Sequence, residues 1–401
     1  MPLCSLDITA LKKACVASPF GRGQETVVDK EYRSALELKT QPVTNFHPSE
    51  NILPQLARMM LPHRDVALVF DKLNIYGPGD FFKVHKDTPN TETLVGSLVV
   101  CLPGDFEGGS LRLWSPGIDL VEDDDDDDDG EEVLEADTVV EWGKKSESMQ
   151  WVAFYSDCPH EITPVTKGTR VTLTYKVVLL DVGGPLGATW PKRNFVVPGT
   201  DEDRGIFSVL SALWRDDTFL PRGGTLGVDC VHEYSFGALE LALAAKPHLV
   251  LKGRDYALYL VASKFGRTTL RPVFDGSSSS TLVAEFIPRD IPRMFDDDDG
   301  DDVDDILRTN FHATSPGPSV WVKPPVARMN RKLLVGGWYC HGNGGYEDFR
   351  MIYSNAALLL AVPPLGEKRT LPADTAFFTA EDQFPSHPMD EYDDDDDDDR
   401  T

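Results

Sequence analysis

The sequence predicts an α+β, mainly β protein: a jelly-roll-like barrel on N-terminal helices, followed by a second α+β region whose fold the pattern leaves unspecified. Three observations predict it. Apolar residues recur at helical spacing before residue 61, short β-rich segments run from Val66 to Leu180, and both textures restart beyond a Gly183-Gly184-Pro185 break. With 401 residues, 41% of them hydrophobic, the chain can bury a sizeable core.

Taken in order, a weak helical pattern covers Ile8 to Val16. A stronger one covers Asn51 to Leu61, where Ile52, Leu53, Leu56, Met59 and Met60 share a face. Asn51 is the expected cap, and Pro54 is tolerable in a first turn. Strands are expected at Val66–Tyr76, Leu94–Leu102, Ser110–Trp114, Thr138–Trp142, Trp151–Ser156, Glu161–Val165 and Arg170–Leu180, separated by turn formers. Past the break, a helix is expected near Ile206–Trp214. Further β-like stretches fall at Gly224–Tyr234, Tyr256–Val261, Thr281–Ile287, Leu333–Tyr339 and Met351–Val362. The expected organisation is 1–182 for helices and barrel, 183–380 for a second region (a degenerate barrel, or a substrate or dimer domain), and 381–401 for a disordered acidic tail.

Of the formal net charge of −27, most comes from 22 aspartates in three tracts: Asp123–Asp129, Asp296–Asp305 and Asp393–Asp399. Like charges in a run repel and bury no surface, so 122–132 reads as a disordered loop inserted in an intact barrel. No basic stripe is present, which disfavours nucleic acid as a partner. The six cysteines are scattered without a CxxC and read as reduced thiols. The longest apolar run, Ala356–Val362, is too short to span a bilayer, so a soluble intracellular protein of cytoplasm or nucleus is expected.

The chemistry concentrates in Tyr76-Gly-Pro-Gly-Asp-Phe-Phe-Lys-Val-His85-Lys86-Asp87, with Cys158-Pro159-His160 and Thr169-Arg170 far downstream. On a strand or its extended exit, His85 and Asp87 point to one face, as two ligands of one ion must. His160 is the best candidate for a third. Two histidines and one carboxylate form the face that non-haem Fe(II) oxygenases use, with coordination positions left open. His232 and His341 lack partners at ligand spacing and read as structural. Cys158 reads as a packing residue, with an oxidation-sensitive thiol as the minority role.

On these residues the segment from about Val66 to Leu180 resembles the catalytic core of the 2-oxoglutarate/Fe(II)-dependent dioxygenase superfamily, on its prolyl 4-hydroxylase-like side. That core is a double-stranded β-helix bearing an HxD, a distal His, and an Arg or Lys about one strand further on. The positions correspond to His85 and Asp87, His160, and Arg170 ten residues later. Tyr76 falls where such members contact the cosubstrate, and Gly108-Gly109-Ser110-Leu111 resembles their glycine turn. The resemblance implies Fe(II), 2-oxoglutarate and O2, with ascorbate as a possible reductant, and hydroxylation of a protein side chain with release of succinate and CO2. Arg170 suits the implied role, because a guanidinium meets a carboxylate in a planar, bidentate fashion. Lys83 and Lys86 rank behind it as cations. The resemblance covers only about the first half of the chain and leaves the substrate, protein or small molecule, unspecified. Two competitors remain: a non-catalytic scaffold whose acidic tracts contact basic proteins, and a cupin-like metalloenzyme of other chemistry.

Overall fold

The computed structural model describes residues 7–22, 25–61, 65–87, 93–116, 135–142, 148–180, 201–244, 247, 250–275, 281–285, 308, 312–313, 318–322, 353–366 and 369–372. The three aspartate tracts, the Gly183–Pro185 break, the Leu333–Tyr339 segment, His341 and the tail from 381 lie outside the described residues.

Three helices and five short strands precede the barrel: α1 (Ile8–Ala14), β1 (Val16–Ala17), β2 (Phe20–Arg22), β3 (Glu25–Val27), β4 (Arg33–Ser34), β5 (Leu36–Leu38), α2 (Pro48–Asn51) and α3 (Leu53–Met60). Asn51 does not cap the helix that was expected to start there. It ends α2, and Ile52 precedes α3 without a side-chain cap bond. The reason is Pro54, which has no N–H to donate to the preceding turn, so the ladder breaks and restarts.

Ten strands follow: β6 (Val66–Tyr76), β7 (Phe81–His85), β8 (Leu94–Cys101), β9 (Phe106–Gly108), β10 (Leu111–Leu113), β11 (Thr138–Val140), β12 (Gln150–Tyr155), β13 (His160–Ile162), β14 (Val165–Gly168) and β15 (Arg170–Leu179). Eight of them, together with β1, β4 and β5, form a six-stranded sheet ordered β1-β5-β6-β15-β8-β12 and a five-stranded sheet ordered β11-β10-β13-β7-β4, while β9 and β14 pair with each other. Every pairing in both sheets is antiparallel.

The period-2 alternation of β6 and β15 separates two environments. Leu73, Ile75, Val171, Leu173 and Val177 pack against Ile52, Leu56 and Met60 of the helical layer. The opposite face turns Lys72, Asn74, Tyr76, Arg170, Thr172 and Thr174 toward a cavity. Between the sheets, Tyr76, Cys101 and Phe154 of the larger one meet Phe82, Leu111 and Ile162 of the smaller. A one-residue slip of β15 would exchange these faces, so the apolar row fixes where the polar row points.

The second region contains α4 (Asp201–Arg215), β16 (Gly224–Asp229), β17 (Tyr234–Ser235), α5 (Phe236–Ala244), α6 (Gly253–Phe265), β18 (Thr268–Asp275), β19 (Thr281–Val283), β20 (Val320–Trp321), β21 (Tyr353–Ser354) and β22 (Ala356–Val362). A sheet ordered β19-β18-β22-β16-β20 carries it. The expected strand at Tyr256–Val261 is a helix. α6 is sandwiched: Tyr256, Leu258 and Tyr259 pack on one core cluster, and Val261, Ala262 and Phe265 belong to another. With apolar residues needed on two sides, the 3.6-residue period disappears and the local sequence imitates a strand. No described helix is long and apolar enough to cross a membrane.

Candidate active site

His85 closes β7, His160 opens β13, and the two are Cα partners across that ladder. Sheet pairing therefore brings together residues 75 positions apart. Asp87 lies just past the end of β7, where its backbone N–H donates to the Ser156 carbonyl at 3.2 Å. Among the described residues, His85, Asp87 and His160 form a group whose ligand atoms all lie within 4.8 Å of one another.

Each histidine is oriented in the same way. His85 Nδ1 lies 2.8 Å from the Lys83 carbonyl, and His160 Nδ1 lies 3.0 Å from the Cys158 carbonyl. A carbonyl only accepts, so each Nδ1 carries the hydrogen and each Nε2 presents a lone pair. Phe82 stacks on the His85 ring with centroids 3.5 Å apart, and Phe154 lies 4.7 Å from the His160 ring. Burial first, and then the neighbouring His160, push His85 well below the ordinary imidazole value. It stays neutral, as a metal ligand must. Asp87 Oδ2 accepts from the Ser97 hydroxyl at 2.5 Å, which leaves Oδ1 3.9 Å from His160 Nε2.

The three side chains line a cavity of about 250 Å³ that also takes in Tyr76, Arg170, Thr172 and Thr174. Arg170 is 1% exposed, with its guanidinium carbon 5.2 Å from the ring centroids of both Tyr76 and Trp142. Its Nε and Nη2 have no hydrogen-bond partner, and neither does Trp142 Nε1. Gly109 makes the close approach possible: at φ +68°, an added Cβ would fall 3.0 Å from Arg170 Cδ and 2.8 Å from Val165 Cγ2.

A buried cation without a counter-charge costs several kcal/mol, roughly, so such a group is kept where something else compensates it. A carboxylate inside the cavity would do so. The donor set and the unpartnered guanidinium therefore fit a small anionic chelator of a metal held by the two histidines and Asp87. Neither Lys83 nor Lys86 lines the cavity; Lys86 instead meets Glu233 Oε2 at 2.7 Å.

Sequence reasoning missed four participants. Ser97 is one, although the inward alternation of β8 could have found it. Lys72 and Arg33 also line the cavity, in a network with Glu37 and Asn74. Asp157 is the fourth: fully buried, it meets Lys252 Nζ at 2.8 Å and His232 Nδ1 at 3.1 Å. No local signal announces it, because its partners lie 75 and 95 positions away. Cys158 is buried, and desolvation, then Asp157, push its thiol up to about 12, so it is an inert packing group.

Residues 72–176 match the family model described as 2OG-Fe(II) oxygenase superfamily. Over that stretch, which lies within the barrel, the chain is similar to that superfamily. Its members are oxidoreductases that use Fe(II), 2-oxoglutarate and O2, and the His85–Asp87–His160 group fits the iron. No curated protein matches the sequence. Among solved structures, a Burkholderia pseudomallei oxidoreductase of the 2OG-Fe(II) oxygenase family is 16% identical over 43% of this chain and 76% of its own, with a TM-score of 0.25. A Pseudomonas putida prolyl-4-hydroxylase is 17% identical over 38% of this chain and 72% of its own, with a TM-score of 0.24. Scores that low carry no argument, and the similarity to the superfamily rests on the family model.

Proposed function

We propose that the chain is an Fe(II)- and 2-oxoglutarate-dependent dioxygenase in which His85, Asp87 and His160 hold the iron and Arg170 and Tyr76 hold the far carboxylate of 2-oxoglutarate. One observation carries the reading. The same cavity holds a two-histidine, one-carboxylate group and a buried guanidinium with two unpartnered nitrogens. The alternating strand orders of the two sheets support a double-stranded β-helix as the scaffold.

Iron and 2-oxoglutarate, when bound, supply oxidative decarboxylation by O2, giving succinate and CO2, coupled to hydroxylation of a substrate. The chain's own residues make the site selective. Nδ1–H donation to the Lys83 and Cys158 carbonyls keeps both imidazoles in the ligating tautomer. The Ser97 hydroxyl fixes the Asp87 carboxylate, so one oxygen stays available. Arg170, with Tyr76 beside it, sets the depth at which a dicarboxylate stops. Phe82 and Phe154 shield the imidazoles and keep water from the ligand faces.

For the substrate we propose a protein side chain, on the likeness of the Tyr76-to-Asp87 stretch to prolyl hydroxylase-like sequences. The test is succinate formation by purified protein under air with Fe(II), ascorbate and 2-oxoglutarate. Succinate from the wild type, lost in His85→Ala and Arg170→Ala, supports the reading; equal succinate from all three overturns it.

A further inference from the structure

The loops that carry the metal-binding side chains are held from outside the barrel. Asp157 stands three residues before His160, is fully buried, and takes its three donors from the second region: Lys252 Nζ at 2.8 Å, Glu233 N at 3.0 Å and His232 Nδ1 at 3.1 Å. Burial by itself would raise this carboxyl, but Lys252 and His232 hold it far below the usual range. The other ligand loop is gripped as well. Lys86, between His85 and Asp87, pairs with Glu233, and the Tyr353 hydroxyl donates to the Asp87 carbonyl at 3.0 Å.

Three of these contacts come from His232 and Glu233, in a short stretch, Val231 to Glu233, which is itself fixed from α6. Asp255 accepts from the N–H groups of Val231 and His232 at 2.8 and 3.0 Å and from the Tyr234 hydroxyl at 2.7 Å. Lys252 Nζ also donates to the Glu233 carbonyl at 3.0 Å. Gly253 leaves room for this approach: at φ +39°, an added Cβ would lie 2.8 Å from the Tyr155 hydroxyl and 3.1 Å from His232 Nε2. A chain of buried, mutually satisfied polar groups is stiff, since moving any one of them orphans the others.

We infer that Asp157, His232, Lys252, Glu233 and Tyr353 are positioning residues, a clamp through which the second region sets the spacing between the His85–Asp87 loop and His160. The inference rests on the metal-site reading above and assigns the second region a task within it. Their described contacts reach the two loops at Asp157, Lys86 and the Asp87 carbonyl, so their effect passes through the backbone of those loops. Outer-shell partners of this kind change metal affinity by roughly 10–100-fold when removed.

Four variants test the clamp: Lys252→Met, Tyr353→Phe, the conservative Lys252→Arg, and Leu226→Ala as a control in the second region's own core. The readouts are amide hydrogen exchange at residues 85–87 and 156–160, and Fe(II) affinity measured without oxygen. The clamp predicts faster exchange at both loops and about tenfold weaker Fe(II) binding in Lys252→Met. Tyr353→Phe, which removes one hydroxyl and leaves the fold intact, should act more weakly in the same direction. Lys252→Arg should restore most of both, and Leu226→Ala should lower the melting temperature without either change. Unaltered loop exchange in Lys252→Met and Tyr353→Phe would overturn the clamp. If the wild type fails to bind Fe(II), the dioxygenase reading falls, while the exchange data still decide whether the second region holds the loops.

Discussion

Two buried cations, Arg170 in the barrel and Lys252 in the second region, are treated in opposite ways. Lys252 is paired, with the Asp157 carboxylate and the Glu233 carbonyl both within 3.0 Å of its Nζ. Arg170 sits between two aromatic rings with two of its nitrogens unsatisfied. Buried polar groups in folded proteins are nearly always bonded, so a buried guanidinium with two unpartnered nitrogens in the cavity of the proposed metal group supports the reading that a carboxylate ligand pairs with it. On the proposed reading, the paired cation serves architecture and the unpaired one serves binding.

The largest expected effect lies at the metal group. His85→Ala, Asp87→Ala and His160→Ala should each bring 2-oxoglutarate-dependent turnover down to background, measured as succinate, because an ion left with two protein ligands loses its fixed geometry. Arg170→Met comes next and separates the two cations most sharply. Loss of a charged, bidentate contact should raise the KM for 2-oxoglutarate by about 30- to 1,000-fold, on roughly 2–4 kcal/mol of binding. Thermal unfolding without cosubstrate should hold steady or rise, because an uncompensated buried charge is removed. A marked fall in melting temperature would show that Arg170 is architectural after all.

Asp157→Asn should behave in the reverse manner, destabilising the fold by about 3–5 kcal/mol near neutrality by breaking a buried pair. Its pH dependence follows from the sign of the shift. The folded carboxyl is held low, so its stabilisation is full above the unfolded value of about 4 and is lost as pH falls toward the folded value. The gap in unfolding free energy between wild type and Asp157→Asn should therefore narrow below pH 4 in denaturant titrations. A gap that stays constant would mean that the carboxylate charge is not what holds the loops. The smallest effect is expected of Ser97→Ala, which removes one hydrogen bond to Asp87 and should weaken Fe(II) binding about tenfold without altering 2-oxoglutarate discrimination.

The barrel was legible because its chemistry obeys short-range rules. β6 runs from Val66 to Tyr76 as its β-rich composition predicted, and the HxD spacing on an extended segment brings His85 and Asp87 to one face. His160 could be named only as the best candidate for a third ligand, and the role of Arg170 came from resemblance to a known family, since sheet pairing over 75 positions leaves no local trace in a sequence. The second region was less legible for a physical reason. α6 and α5 are apolar on more than one side, so neither displays an amphipathic period, and the strand expected at Tyr256–Val261 was a misread helix. Asn51 failed as a cap because Pro54 dictated where the helix restarts. The Asp157 clamp could not be foreseen, because each of its residues is ordinary until folding brings them together.

The most direct test of the account is a titration of 2-oxoglutarate into the Fe(II)-loaded protein without oxygen, followed by visible absorption. Direct chelation of the iron by the 2-oxo acid should produce a new charge-transfer band in the wild type, at far higher cosubstrate concentration in Arg170→Met, and not at all in His160→Ala. No band in the wild type at saturating Fe(II) and 2-oxoglutarate, or an undiminished one in His160→Ala, would contradict the site.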